Sequence, residues 1–215
     1  MNPEQYDRWY EQGPGQWIGQ RELSLLLSML QIRPGESLLD VGCGTGYFTR
    51  GLAHATRTQQ VLGVDINPVW VDFARRRDPG VTLYGVADGQ ALPFATDSFD
   101  LAVSITALCF VHDERLAVEE MVRVARRRVV IGLLNRYSLH WFRKGRHGGS
   151  GAYRGAHWHS AKEARNLFSG LPVHNVRLRT AIHVPGSGWF ARAAERLLPP
   201  QLHTGAFILL AADVN

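Results

Sequence analysis

Three carboxylates and a run of glycines carry the chemistry open to this chain. Asp40-Val41-Gly42-Cys43-Gly44-Thr45-Gly46 sets an acid before glycines at every second position. Glycine lets a backbone turn sharply and lets a ligand lie directly against it. Tyr47-Phe48-Thr49-Arg50 follows and reads as a helix start, whose free N–H groups can face a polar or anionic ligand. Asp65 closes the apolar run Val61-Leu62-Gly63-Val64, and Asp88-Gly89 follows a third apolar run. An acid after a second strand can accept both hydroxyls of a ribose. An acid after a third can accept from an exocyclic amine such as that of adenine. The set fits an adenosine laid across the edge of a sheet.

The spacing narrows the choice of adenosine ligand. A dinucleotide fingerprint needs G-x-G-x-x-G, and here Tyr47 stands where its last glycine belongs. No GK[ST] run follows the glycines, so a phosphate-cradling P-loop is excluded. Asp40 is awkward beside a diphosphate and favourable beside a cation, such as a sulfonium-bearing amino acid.

These residues need elements to hold them. Ser37 to Val41, Val61 to Asp65, Val81 to Val86, Phe99 to Ile105 and Val129 to Leu134 read as five buried strands. Helices are expected over 47–57, from the Asn67-Pro68 start to Arg77, and over Glu114 to Arg127. In the last of these, Leu116, Val118, Met121, Val122 and Ala125 form the apolar side. An N-terminal helix is expected over 20–30, stopped by Pro34-Gly35. Ser160 and Glu163 have capping-box spacing, so a helix should run from Ala161 to Phe168. Val176 to Ile182 and Ala206 to Ala212 read as two more strands, with a helix from Trp189 to Leu198 between them. Residues 135–160, rich in Arg, His, Gly and aromatics, read as a long loop. Alternating strands and helices imply an α/β fold with a mostly parallel sheet covered on both faces. Ligands bind such sheets at the carboxyl ends of the strands.

Composition sets the outer bounds. A chain of 215 residues suits one domain. Four regions are expected within it: an N-terminal helical flap (1–33), a cofactor-binding core (36–135), a substrate loop or lid (136–160), and a C-terminal helix and strand pair (161–215). Net charge is +5, a moderate basic bias without a polybasic tail. Cys43 and Cys109 have no CxxC spacing, which argues against a disulfide scaffold and fits a reducing compartment, the cytoplasm. Neither a secretory signal nor a membrane span is expected.

Taken in order, the motifs resemble those of class I S-adenosylmethionine-dependent methyltransferases. Leu38-Leu39-Asp40-Val41-Gly42-Cys43-Gly44-Thr45-Gly46 is similar to that family's first motif, and Val64-Asp65 to its ribose-binding acid. Ala87-Asp88-Gly89-Gln90-Ala91-Leu92-Pro93-Phe94, followed by Ser98-Phe99-Asp100, resembles the adenine loop and fourth strand of the small-molecule branch, the ubiquinone and menaquinone methyltransferases among them. The resemblance implies a Rossmann-like three-layer sandwich with a seven-stranded sheet and an antiparallel last strand. It implies that Asp40 and the Gly42, Cys43, Gly44, Thr45 and Gly46 backbone hold the methionine portion. Asp65 and Ile66 would hold the ribose and adenine face, and Asp88 and Gly89 the adenine edge. Ser104 would line the gap between donor and acceptor. The implied reaction is in-line displacement at an activated methyl group, for which the protein mainly aligns the nucleophile. S-adenosyl-L-homocysteine is the product.

The remaining candidates concern the acceptor. His112 follows the fourth strand and is the best-placed general base, against a reading as a solvent-facing cap. Tyr137, Trp141, Tyr153 and Trp158 would offer apolar walls and Arg154 an anion contact, with Tyr6 and Trp9 closing from the N-terminus. Cys109 lacks the Pro-Cys pair of a nucleophilic cysteine and reads as a core thiol. His157-Trp158-His159 puts two histidines on one side of an extended chain, but no carboxylate or cysteine accompanies them, so no metal is expected. The expected substrate is small, and aromatic, anionic or lipid-like. An RNA methyltransferase is the rival reading, although Ser104-Ile105-Thr106-Ala107 lacks the Asp/Asn-Pro-Pro-Tyr signature. A nicotinamide oxidoreductase and a non-catalytic S-adenosylmethionine-binding protein are the rivals from other classes.

Overall fold

A computed structural model describes residues 2–56, 60–80, 82–199 and 201–215. The chain begins with two helices, α1 (Pro3–Glu11) and α2 (Gly13–Leu30). Then come β1 (Leu38–Val41), α3 (Tyr47–Thr56), β2 (Val61–Asp65), α4 (Pro68–Arg77), β3 (Leu83–Val86) and β4 (Phe99–Ile105). The remainder is α5 (Glu114–Val124), β5 (Ala125–Leu134), α6 (Leu139–Lys144), α7 (Ala161–Asn166), β6 (Val173–Ala181), α8 (Trp189–Leu197) and β7 (Phe207–Val214).

The seven strands form one sheet in the order β3-β2-β1-β4-β5-β7-β6. β1 to β5 pair in parallel, and β7 runs antiparallel to both β5 and β6. The order reverses between β1 and β4, so their carboxyl ends open a crevice at the switch point. Side chains alternate across the sheet and feed two cores. Leu38, Leu101, Val103, Val130 and Leu209 pack with Leu26, Leu30, Phe48 and Leu52 from α2 and α3. Leu39, Val41, Ile131 and Leu210 pack on the opposite face with Val118 and Met121 of α5 and Ala164 of α7.

Local signals explain most boundaries. Asn2, Asn67, Asp113, Ser138 and Ser160 each accept a backbone N–H at the start of a helix, and Ser160 and Glu163 form a reciprocal capping box. Several expected boundaries move. α5 ends at Val124 rather than Arg127, because Ala125 turns extended and enters β5. Arg128 draws this segment into the sheet: its Nε donates to Asp213 (2.7 Å), and its Nη1 caps the carbonyls of Met29 and Leu30 at the end of α2 (3.0 and 3.1 Å). Leu116 lies off the apolar face of α5 and is 41% exposed. α7 stops at Asn166, two residues early, and β6 begins at Val173, three residues early. β7 runs on to Val214, and α8 ends at Leu197. Residues 135–160 are not a plain loop, since they contain α6 and two short 3₁₀ turns. Val81 and Arg57, the ends of an expected strand and helix, lie outside the described residues.

α2 starts seven residues before the expected helix, and the residues ahead of it, expected only as part of a helical flap, form α1. Glycines at 15 and 19 dilute the helical pattern, yet they permit close packing. A Cβ at Gly15 would stand 2.0 Å from the Trp9 carbonyl oxygen, and one at Gly19 would stand 2.6 Å from the Tyr10 ring. α1 is also fixed by charge. Asp7, 3% exposed, pairs with Arg50 of α3 at 2.7 Å and Arg77 of α4 at 3.2 Å. Arg77 also pairs with Glu11.

Candidate functional site

The crevice at the switch point is a cavity of about 1060 Å³. The glycine turn after β1 forms its floor, with φ of 76° at Gly42, 54° at Gly44 and 79° at Gly46. Side chains are strained in that region and space is also closed: a Cβ at Gly42 would lie 2.2 Å from the Ala107 Cβ. Arg50 of α3 braces the turn by donating to the Thr45 carbonyl at 2.6 Å.

Three acids reach this edge from three adjacent strands. Asp40, 1% exposed, accepts from the Thr49 hydroxyl at 2.7 Å and lines the cavity, and among the described residues it has no ion-pair partner. Burial pushes its carboxyl up to about 7; the Thr49 hydroxyl opposes this and the Asp65 charge reinforces it. Asp65 accepts from the backbone N–H of Gly44 and of Asn67, both at 2.9 Å, so its carboxylate is locked to the turn. Asp88 accepts from the Gln90 N–H at 2.9 Å, and the Gln90 side chain accepts from the Asp113 N–H at 3.0 Å. The third loop is thereby tied to the start of α5.

All the expected cofactor contacts come together here. Asp40, Gly42, Cys43, Gly44, Thr45, Asp65, Ile66, Asp88, Gly89 and Ser104 line the cavity, and Gly46 completes the turn. Burial raises the Cys43 thiol far above its ordinary range, so it acts as packing and not as a nucleophile. The Ser104 and Thr45 hydroxyls are buried at the cavity without a hydrogen-bond partner. Buried polar atoms ordinarily have partners, so this pair marks where a polar ligand belongs.

The acceptor candidates divide. Tyr6, His112 and Arg154 line the cavity, with His112 and Arg154 exposed. Among the described residues Arg154 has no ion-pair partner. Trp9, Tyr137, Trp141, Tyr153 and Trp158 do not line it. Trp9 packs on Tyr10 with ring centroids 4.8 Å apart. Tyr137 points to solvent at 65% exposure, and Trp141 packs edge-on to Phe142. Trp158, 4% exposed, belongs to the core and stacks with Tyr153 and His140. Apolar rings in a His- and Arg-rich segment look like ligand walls in a sequence, whereas here they glue that segment to the protein. Gly151 and Ala152 reach the cavity in their place. Cys109 is a core thiol, as expected, with its sulfur accepting the Leu134 N–H at 3.4 Å.

Several cavity residues escaped the sequence reading. Trp70, Thr106 and Phe110 line the cavity, as does Tyr47, which stacks at 4.1 Å on Tyr10 of the flap. Trp70 follows the Asn67-Pro68 cap, and the first turn of a helix after a parallel strand faces the ligand edge; that signal was available. Tyr6 meets Trp70 edge-on at 5.1 Å, so α1 roofs the cofactor end. Behind the roof, burial raises Glu22 to about 8. The expectation that no carboxylate accompanies His157 and His159 is overturned. Glu114, more than forty residues earlier, lies between them.

The fold and the acids make this edge of the sheet suited to a nucleoside-bearing ligand. Residues 39–131 match the family described as a methyltransferase domain. The chain is 30% identical over 166 residues to a malonyl-[acyl-carrier protein] O-methyltransferase of Serratia marcescens, covering 77% of this chain and 58% of that one. The alignments span between 34% and 58% of the lengths of such curated relatives. Among solved structures, a possible histamine N-methyltransferase of Thermotoga maritima superposes with a TM-score of 0.74 at 20% identity, covering 99% of this chain and 96% of that one. The geranyl diphosphate C-methyltransferase of Streptomyces coelicolor, solved with S-adenosyl-L-homocysteine, superposes with a TM-score of 0.64 at 19% identity, covering 90% and 78%. Residues 39–131 thus match a methyltransferase domain, and the fold over the whole chain is that of solved S-adenosylmethionine-dependent methyltransferases. The ribose and methionine ends of that cofactor fit the donors and acceptors present.

Proposed function

We propose that the protein transfers the methyl group of S-adenosylmethionine to a small-molecule acceptor. The observation that carries this is Asp40: a buried carboxylate facing the cavity without an ion-pair partner among the described residues, beside two hydroxyls without hydrogen-bond partners there. A sulfonium and an ammonium complete such a site, whereas a diphosphate is repelled by it. Asp65, held from behind by two backbone N–H groups, has oxygen lone pairs left for ribose hydroxyls. Asp88, Gly89 and Ile66 accommodate the adenine.

When bound, the cofactor supplies an already activated methyl carbon. The chain's work is then to bind, orient and exclude water. Ser104, at the end of β4, stands between the donor turn and the acceptor side. Tyr6, Tyr10 and Trp70 close the cofactor end against solvent. His112 at the mouth is placed to take a proton from the nucleophile, and water can do the same. At about 1060 Å³ the cavity exceeds an ordinary small-ligand cleft, leaving room for an acceptor beside the cofactor. Phe110 offers that acceptor an apolar wall and Arg154 a cation, which favours a molecule with an apolar body and an anionic group.

A nucleic-acid acceptor is less well supported. Among the described residues ten arginines form ion pairs, which leaves less of the positive charge free for a phosphate backbone. Among the described residues no helix is long and apolar enough to cross a membrane, and the two free cysteines fit the reducing cytoplasm. Incubation with S-adenosylmethionine labelled in its methyl group, against separate pools of small metabolites and RNA, tests the reading. Label is expected in the small-molecule pool; label confined to RNA contradicts it.

A further inference from the structure

His157 and His159 sit one residue apart on extended chain, so their rings leave it on the same side and stack at 4.2 Å. Glu114, the first residue of α5, places its carboxylate between them. Its Oε1 lies 2.9 Å from His157 Nδ1, and its Oε2 lies 2.7 Å from His159 Nε2. One ligand atom from each of the three lies within 4.8 Å of the others. We propose that these residues form a site for a divalent transition metal of the zinc type. None of the three lines the cofactor cavity, so the site is separate from it and does not depend on methyl transfer.

The ligand set decides the class of ion. Two imidazole nitrogens and one carboxylate are what zinc and its neighbours take, while calcium and magnesium prefer all-oxygen shells. Tetrahedral bonds of about 2.0–2.1 Å hold ligand atoms roughly 3.3 Å apart, so small side-chain adjustments suffice. Without a metal, each ring nitrogen facing Glu114 must carry a proton. A cation takes the place of each such proton, which moves to the other ring nitrogen or, from a charged ring, to solvent, and it offsets the carboxylate charge.

The scaffold is already rigid. The His157 N–H donates to the Cys109 carbonyl and the His159 N–H to the Leu134 carbonyl, both at 2.8 Å. Asp113 caps α5 and fixes Glu114. His159 is 1% exposed and Glu114 10%, while His157 is 54% exposed. The fourth coordination position therefore opens to solvent on the His157 side. A bound ion would clasp the end of the 136–160 segment to the start of α5, behind Gly151, Ala152 and Arg154 at the cavity mouth.

Protein stripped with a chelator and titrated calorimetrically with zinc chloride tests this, with cobalt chloride as a spectroscopic probe. One equivalent should bind with a rise in melting temperature, and cobalt should show the visible absorption of a low-coordinate nitrogen and oxygen site. His157→Ala, at an exposed ring, should fold normally and weaken binding by roughly 100-fold. Glu114→Gln, which keeps the shape, should weaken it similarly. If the wild type takes up no stoichiometric metal, or His157→Ala binds as well, the cluster is a hydrogen-bonded clasp and the proposal is wrong.

Discussion

In the proposed function Asp40 is the residue on which cofactor binding turns, and its burial makes a pH signature. Its carboxyl titrates near 7 in the free protein because burial disfavours the charge. A cationic ligand needs the ionised form, so binding below that pH must first release the proton. S-adenosylmethionine affinity is therefore expected to rise with pH, by up to about tenfold per unit below 7, and to level off above it. Asp40→Asn should bind weakly and without this slope; calorimetric titrations across the range would show it, and an unchanged slope in the variant would assign the effect elsewhere. The glycine turn and the acids at 65 and 88 were legible from spacing alone, because backbone geometry and ribose chemistry constrain residue type tightly. Trp158 was not, since an aromatic ring serves a ligand wall and a core equally well. Glu114 was not either, because its partners lie more than forty residues away and only the fold brings them together.

At the scale of elements, α1 is held by its charges as much as by its rings. Asp7 is buried between Arg50 and Arg77, and Arg50 in turn braces the glycine turn. Asp7→Asn leaves the mostly buried Arg50 guanidinium without its ion-pair partner and should destabilise the protein by about 3 kcal/mol. Amide exchange should quicken over Pro3–Glu11 before it does in the sheet, and cofactor affinity should fall with it. Uniform quickening throughout the protein would argue against a locally tethered roof. Element type was readable where a cap or an unbroken apolar run announced it, as at Asn67-Pro68 and Val61–Asp65. It failed where tertiary contacts decide. Ala125 to Arg127 read as the end of a helix and are strand residues, drawn into the sheet beside Arg128, which Asp213 and the end of α2 claim. The expected helix began only at Gln20, whereas α2 also takes in Gly15 and Gly19, where a Cβ would clash with Trp9 and Tyr10 of α1.

For the whole molecule, buried acids set the direction of its stability with pH. Glu22, raised to about 8, and Asp40, raised to about 7, keep protons in the folded state that the unfolded chain gives up near 4.5 and 3.8. The folded form then binds more protons than the unfolded one, so stability should decline as pH rises from about 5 to 8. Glu22→Gln should flatten that decline in denaturant titrations; a wild type whose stability rises over the same range would contradict it. The seven strands and the antiparallel β7 follow from the family resemblance, the alternation of strands and helices supports the parallel part independently, and the strand order came only with the structure. The most direct measurement is a calorimetric titration of wild type and Asp65→Ala with S-adenosylhomocysteine, with NAD run in parallel. One site per chain is expected in the wild type, weakened by roughly 30-fold in the variant, which is about 2 kcal/mol. Binding of NAD in its place, or an Asp65→Ala variant that binds S-adenosylhomocysteine as tightly as the wild type, would contradict a methyl-donor site at the end of β1, β2 and β4.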